Sequence, residues 1–415
     1  MENNERKNIS LSKTKHFELI IIAFVVAVAV AAVLITCSAL GVFTNSTGYA
    51  ELQLATYSDV KFSHNIYCYL YFKGNEMQVN SKKGKANSLF STSYREIYMM
   101  TDPYVDYSPY SVSLKQINKS LGEDVKVDER LYLLLKDAYQ KSDIQNNNYS
   151  LFAAPLFHEW DLLLYSGAFG NYECDPLFDE EEANYLSNLA NMINDTSNYS
   201  LEFKDNNIVN LNVFPEYKEF LDTYSNNAPI ISLNALENSY QMQYIANKLE
   251  EAGYENGYLV DDFGNGITLK GFTSMNHNLY DIEDGSAHLF GHISMNGRYR
   301  FSATHHFLVN PLNSPYFYDV TKDDNTYHRS SYLKLEDGSV NDHYLSTNLF
   351  SENLDLPSLV LENNKLPIKD NTYLSEQADN YKFLLVNNSS NKELIVQHEF
   401  NAFTIYKNDY NFVTI

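Results

Sequence analysis

Cysteine is scarce: Cys37, Cys68 and Cys174 are the three in 415 residues. None forms a C-x-x-C pair, which leaves no zinc-ribbon or thioredoxin-type redox motif. Cys68 and Cys174 could pair outside the cell or stand as buried free thiols. Basic residues are also in deficit. Lys and Arg number 30 against 53 Asp and Glu, for a formal charge of −23. An excess of this sign repels phosphate backbones, so nucleic acid is excluded as a partner. Long runs of like charge are missing too, the densest being Asp179 to Glu182, so there is no acidic or basic tail.

What is abundant is core material: 44 % hydrophobic and 14 % aromatic residues suffice for one large domain or two ordinary ones. The chain is not of a disordered class. The many N-x-S/T triplets follow from an Asn-rich composition and do not by themselves argue for glycosylation.

Leu19 to Phe43 carries no charge over 25 residues. As a helix it would measure about 37 Å, more than the roughly 30 Å of a hydrocarbon core. Arg6, Lys7, Lys13 and Lys15 precede it, so the positive-inside rule keeps residues 1–18 in the cytoplasm and sends the body, 44–415, outside. The expectation is a single-pass cell-membrane protein. The alternative is a lipoprotein signal, LITC, with Cys37 lipidated after cleavage.

Along the body, Leu52 to Phe72 is dense in strand formers, and Asn75 to Ala86, with Lys82, Lys83 and Lys85, reads as a basic turn or loop. Ser111 to Leu121 reads as loop. Asp128 is positioned to cap a helix whose Leu131, Leu134, Leu135 and Ala138 share one face. Asp179 to Met192 is a surface helix with an acidic first turn, and Leu201 to Val213 alternates as strands do. Pro229 to Gly271 reads as strand, helix stopped by Gly253, strand, Gly turn, strand; Tyr381 to Tyr406 reads as a closing hairpin.

The order of these motifs resembles the FAD:protein FMN transferase (ApbE) family. Ser111, Ile117 and Asn118, then Val125, Val127, Leu131, Leu134, Leu135 and Ala138, then Pro155, Leu156 and Trp160 carry the first block of the resemblance. ISLNALENSYQMQYIANKLEEAGY and the FGNGI turn carry the second, SMNGRYRFSATHHFLVNP the third, and VNDHYLSTNLF the fourth. The resemblance implies an α+β fold: a single T-fold-like domain with antiparallel sheets, preceded by one transmembrane helix. It implies FAD as substrate, Mg²⁺ bridging its diphosphate, and transfer of FMN to a threonine of an exported acceptor protein.

It also implies site residues. Ser111, Asn118, Tyr149, Ser150, Ser232, Asn238, Gly264 and His306 fall where the family lines the cofactor; Asn238 and His306 hold catalytic places. Ala235, through its carbonyl, His343 and Thr347 stand where the family holds the metal, the latter two read as one helical turn. His305 and His306 are neighbours on a strand and point to opposite faces, so they do not share an ion.

Several of these positions depart from the family's residues. Tyr149 and Ser150 replace a Phe-Asp pair, Ser232 an Asp, Asn238 a Lys and His343 an Asp, and Asp342 is displaced by one residue. An amide supplies a hydrogen bond but no charge to a diphosphate, and imidazole is a poor ligand for a hard cation. Two functions are therefore carried forward: the family's transfer reaction, and a catalytically silent surface relative that binds flavin or a protein.

Overall fold

The structure, a computed structural model, describes residues 24–39, 41, 45–54, 66–106, 112–225, 227–283, 286–305, 317–341, 343–366, 369, 371–387, 393–397, 402–406 and 410–415. It divides into two compact units, Met1–Ala50 with Tyr71–Asn87, and Glu51–Leu70 with Ser88–Ile415.

In the smaller unit, positions 24–39 are helical with exposed apolar side chains such as Phe24, Val33 and Ile35. The remainder of the expected 19–43 span lies outside the described residues or outside this helix. No helix among the described residues is long and apolar enough to cross a membrane. The expected basic loop at 75–86 is instead the start of the helix Glu76–Thr101. Asn75 and Gln78 cap it reciprocally: Gln78 N–H donates to Asn75 Oδ1 at 2.9 Å and Asn75 N–H to Gln78 Oε1 at 3.4 Å. The lysines that suggested a loop are its solvated face.

The larger unit is α+β with mostly antiparallel pairing. Its main sheet runs in the order Ile66–Phe72, Gly257–Asp261, Gly266–Thr268, Arg300–His305, Tyr344–Ser351, Lys382–Asn387, Glu393–Val396, Asn411–Thr414. Neighbours pair antiparallel except the last two, which are parallel. Two separate antiparallel sheets join Asp124–Lys126, Ile208–Val213 and Tyr199–Lys204, and Phe403–Ile405, Ser286–Asn296 and Ser274–Glu283. Helix Glu237–Glu251 lies on Gly257–Asp261 and Gly266–Thr268, and helix Leu356–Lys365 on Arg300–His305 and Tyr344–Ser351.

Side-chain alternation explains the packing of the main sheet. Phe301 faces a core with Leu279, Phe290, Leu345 and Phe350. Ser302 and Thr304, one residue out of step, face the helix Leu356–Lys365 through its Asn363 and through Thr347. The first-block residues do packing work: Ile117, Leu131, Leu135, Ala138, Leu156 and Trp160 are buried, and Trp160 Nε1 donates to the Gly338 carbonyl at 2.8 Å.

Four local expectations change. Leu114–Lys119 is a short helix rather than loop, its Leu114 and Ile117 drawn into the core. Residues 229–233 form no strand: Asn118 Oδ1 binds the N–H groups of Ile230 and Ile231, and the Leu151 carbonyl that of Ser232. Tyr344–Ser351 is a strand, not a helical turn; it is buried along its length and paired on both edges, and β-pairing outweighs the local pattern. Cys68 and Cys174 are both free, Cys68 buried in a strand but Cys174 exposed in a turn, so neither the pairing nor two buried thiols holds.

Candidate active site

The turn 232–236 is built by side chains from distant segments. Asn118 uses its whole amide on the approach to it: Oδ1 accepts from Ile230 N and Ile231 N, both at 2.9 Å, and Nδ2 donates to Leu114 O and Ile231 O. Asn234 has φ +50°, a conformation Asn tolerates, and its Nδ2 donates to Ser150 O at 2.7 Å. Ser150 caps the short turn at 151–153 through Phe152 N, Ser232 Oγ accepts from Asn234 N, and Tyr149 OH donates to Leu233 O. Asn118, Ser150 and Ser232 are thus scaffold, with their polar atoms committed to backbone.

Ala235, presented by this turn, lines a cavity with Tyr149 and Thr347. Residues 112 positions apart in sequence therefore do converge. The cavity measures about 30 Å³, room for roughly one water. Its remaining polar walls are amides and hydroxyls, among them Asn148, Thr304, Asn341 and Asn363; among the described residues no charged side chain lines it. Thr347 is 4 % exposed, and its hydroxyl donates to Asn363 Oδ1 and meets Thr304 Oγ1, both at 2.7 Å. His343 does not line the cavity: it is exposed at the start of the strand, its ring against that of Tyr344. Ser111, His306 and Asp342 lie outside the described residues.

Asn238 sits one helical turn away in the helix Glu237–Glu251 and is buried. Its Nδ2 donates to Asp261 Oδ2 at 3.0 Å, and its Oδ1 has no partner among the described residues. Asp261 is the centre of a turn: its Oδ1 accepts from Phe263 N and Asn265 N, its Oδ2 from Asn265 Nδ2. Gly264, at φ +91°, closes that turn; a Cβ there would lie 3.0 Å from Ala303 Cβ. Gly264 is thus a close-approach glycine of the turn. Burial pushes the Asp261 carboxyl up to about 6, even though Asn265, Asn238 and two backbone N–H groups favour its charged form.

From Asp261 a polar chain runs through the interior. Ser302 Oγ donates to Asn265 Oδ1 at 2.8 Å, Asn363 Nδ2 to Ser302 Oγ at 3.0 Å, and Thr347 to Asn363. Asn238 and Thr347 are thus joined by uncharged groups around one carboxylate.

Asp261, Asn265, Ser302 and Asn363 escaped the sequence reading. D-D-F-G gives a hint of a side-chain-stabilised turn, but nothing local marks its carboxylate as buried. A second set was also missed. Glu237 is raised to about 8 by its enclosure and by the nearby Asp102, while Gln241 Nε2, donating to it at 2.9 Å, opposes the shift. Close by, Tyr104 OH meets His158 Nδ1 at 2.8 Å, and burial lowers the imidazole's affinity for a proton. His305, of the adjacent pair, is driven down to about 3 by burial and by His277, and is a neutral core imidazole.

Mg²⁺ takes oxygen ligands, with one or two carboxylates. Among the described residues the cavity offers no carboxylate, Thr347 is already engaged twice, and no cluster of three His, Cys, Asp or Glu could hold a metal. The described residues do not fit the ion.

Solved structures with the same arrangement cover over four-fifths of the chain. The ApbE protein of Thermotoga maritima matches with a TM-score of 0.53 and 15 % identity, covering 82 % of this chain and 94 % of its own. Flavin transferase ApbE of Vibrio cholerae matches with a TM-score of 0.54 and 11 % identity over 83 % and 95 %. The fold is that of the ApbE flavin transferases. The apo flavinyl transferase ApbE of Pseudomonas stutzeri agrees, with a TM-score of 0.50 and 11 % identity over 84 % and 93 %. No protein-family model and no curated protein matches the sequence itself. At this identity the ApbE likeness rests on the arrangement of elements, and the site has to be judged on its own residues.

Proposed function

We propose that this chain is a flavin-binding relative of the flavin transferases that has lost Mg²⁺-dependent FMN transfer. One observation carries the proposal: among the described residues the cavity shared by Ala235, Tyr149 and Thr347 has no charged wall, and Asn238, in the lysine's place, gives its amide to Asp261. Phosphoryl transfer needs charge placed on the diphosphate and a metal bridging its oxygens. What this chain's residues supply instead is a rigid, hydrogen-bonded turn and neutral donors. Fold and packing survive without catalysis because they need only the apolar positions and the backbone-binding amides.

The transfer reading keeps one point in its favour, the convergence of Ala235 with Thr347. In that reading FAD would be the substrate, the Ala235 carbonyl and the Thr347 hydroxyl would hold an Mg²⁺ that would neutralise its diphosphate, and the FMN phosphoryl would pass to a threonine of an exported redox protein with AMP leaving. In both readings residues 19–43 anchor the chain as a single pass, or Cys37 carries a lipid, and the body lies outside the cell.

The test is to incubate the purified chain with FAD, with and without Mg²⁺, and an acceptor domain carrying the target threonine. Retained FAD, affinity indifferent to Mg²⁺ and no flavinylated acceptor are expected. A covalently flavinylated acceptor would overturn the proposal, and absence of FAD binding would overturn both readings. Asn238→Lys combined with His343→Asp should give no Mg²⁺-dependent turnover, because a lysine at 238 meets the Asp261 carboxylate and His343 lies off the cavity.

A further inference from the structure

A second, larger cavity of about 570 Å³ opens at the other end of the strand Tyr344–Ser351. Four residues separate Ser351, on its wall, from Thr347, a distance of about 13 Å along a strand. It is therefore separate from the cavity at Ala235, and it falls within the size range of small-molecule sites. Its floor is apolar and buried, made by Ile293, Met295 and Phe350. Tyr299, half-buried, stands on one side, its hydroxyl hydrogen-bonded to the Glu352 carboxylate.

The rim is acidic. Among the described residues its wall carries two exposed carboxylates, Glu352 and Asp379, and one cation, Lys382, whose Nζ donates to the Ala378 carbonyl at 3.2 Å. Ser351 and Asn380, also on the wall, are tied to each other, Ser351 Oγ donating to Asn380 O at 2.7 Å, which fixes the wall's shape. Two exposed carboxylates disfavour an anion, and a neutral apolar molecule gains nothing from them. A protonated amine on an apolar body satisfies each surface: the body on Phe350 and Met295, the charge between Glu352 and Asp379, with the Tyr299 ring available to it.

We propose that this cleft is a binding site for a small organic amine in its protonated form. The inference goes beyond the flavin reading and does not depend on it.

The probe is phenethylamine, with 2-phenylethanol and 3-phenylpropionate as neutral and anionic counterparts, added to the full chain and followed by saturation-transfer NMR and titration. The amine is expected to bind at least fivefold more tightly than either counterpart. Glu352→Gln should weaken the amine by about tenfold, the loss of one hydrogen bond to a charged group. Asp379→Asn should weaken it in the same direction and serves where the first variant fails to fold; the melting temperature checks folding. Equal binding of amine and alcohol, no binding of the amine, or amine affinity unchanged in both variants would overturn the proposal.

Discussion

Asp175 shows how a charge can be held in the interior. Its side chain has no exposure, and Arg329 reaches it twice, Nε to Oδ2 at 2.9 Å and an Nη to Oδ1 at 3.0 Å, with Tyr318 OH donating to Oδ2. Burial opposes ionisation, but Arg329, the Leu177 N–H and Tyr318 together outweigh it, and the carboxyl is held below its ordinary range. A depressed folded-state value gives stability that is present above the unfolded value of about 3.9 and is lost as pH falls through the folded one. Asp175→Asn should cost about 3–5 kcal/mol at pH 7 by leaving Arg329 buried and unpaired. Urea titrations at pH 7 and at pH 3 check it: the variant's deficit should shrink at the lower pH. A constant deficit would show that packing, not charge, is what Asp175 contributes.

The elements near the site are set by caps and turns as much as by propensity. Asp128 accepts from Arg130 N at 2.9 Å at the start of helix Glu129–Lys141, as its place in the sequence suggests. Asp128→Ala should cost about 1 kcal/mol, read as a lowered melting midpoint with the fold retained. Gly264 is a stricter case. A side chain there combines a positive φ with crowding against Ala303, so Gly264→Ala should cost about 1–3 kcal/mol and loosen the Asp261 turn. Hydrogen exchange at Phe263 N and Asn265 N, both bound to Asp261, measures that loosening directly. Unchanged protection would mean that the turn does not depend on the glycine.

For the whole molecule, Glu237 and Asp175 act at opposite ends of the pH scale. Enclosure and the nearby Asp102 push the Glu237 carboxyl up to about 8 in the folded chain against about 4.3 when unfolded, so the folded state holds a proton that the unfolded state releases. Its contribution is full below about 4 and is lost as pH rises through about 8. Melting midpoints of the wild type should fall between pH 5 and pH 9, and Glu237→Gln should flatten that decline. An equal decline in both would assign the effect to other groups.

The sequence on its own determined the class of fold and most of its core. Periodicity marks Leu131, Leu135 and Ala138, and motif order brought the family likeness that the solved structures bear out as a fold. It also determined which charges are missing, because a lysine or carboxylate is either written in the chain or not. Local reading failed where a segment's neighbours decide its state. Tyr344–Ser351 is a strand because partners flank it on both edges, and residues 230–231 stay irregular because Asn118 holds their backbone. Only the tertiary structure decided that Ala235 and Thr347 share a cavity, that His343 does not, and that Asp261 becomes a buried carboxylate joined to Asn238. The reason is that burial and convergence belong to contacts between segments a hundred residues apart, and no local window of sequence contains both partners.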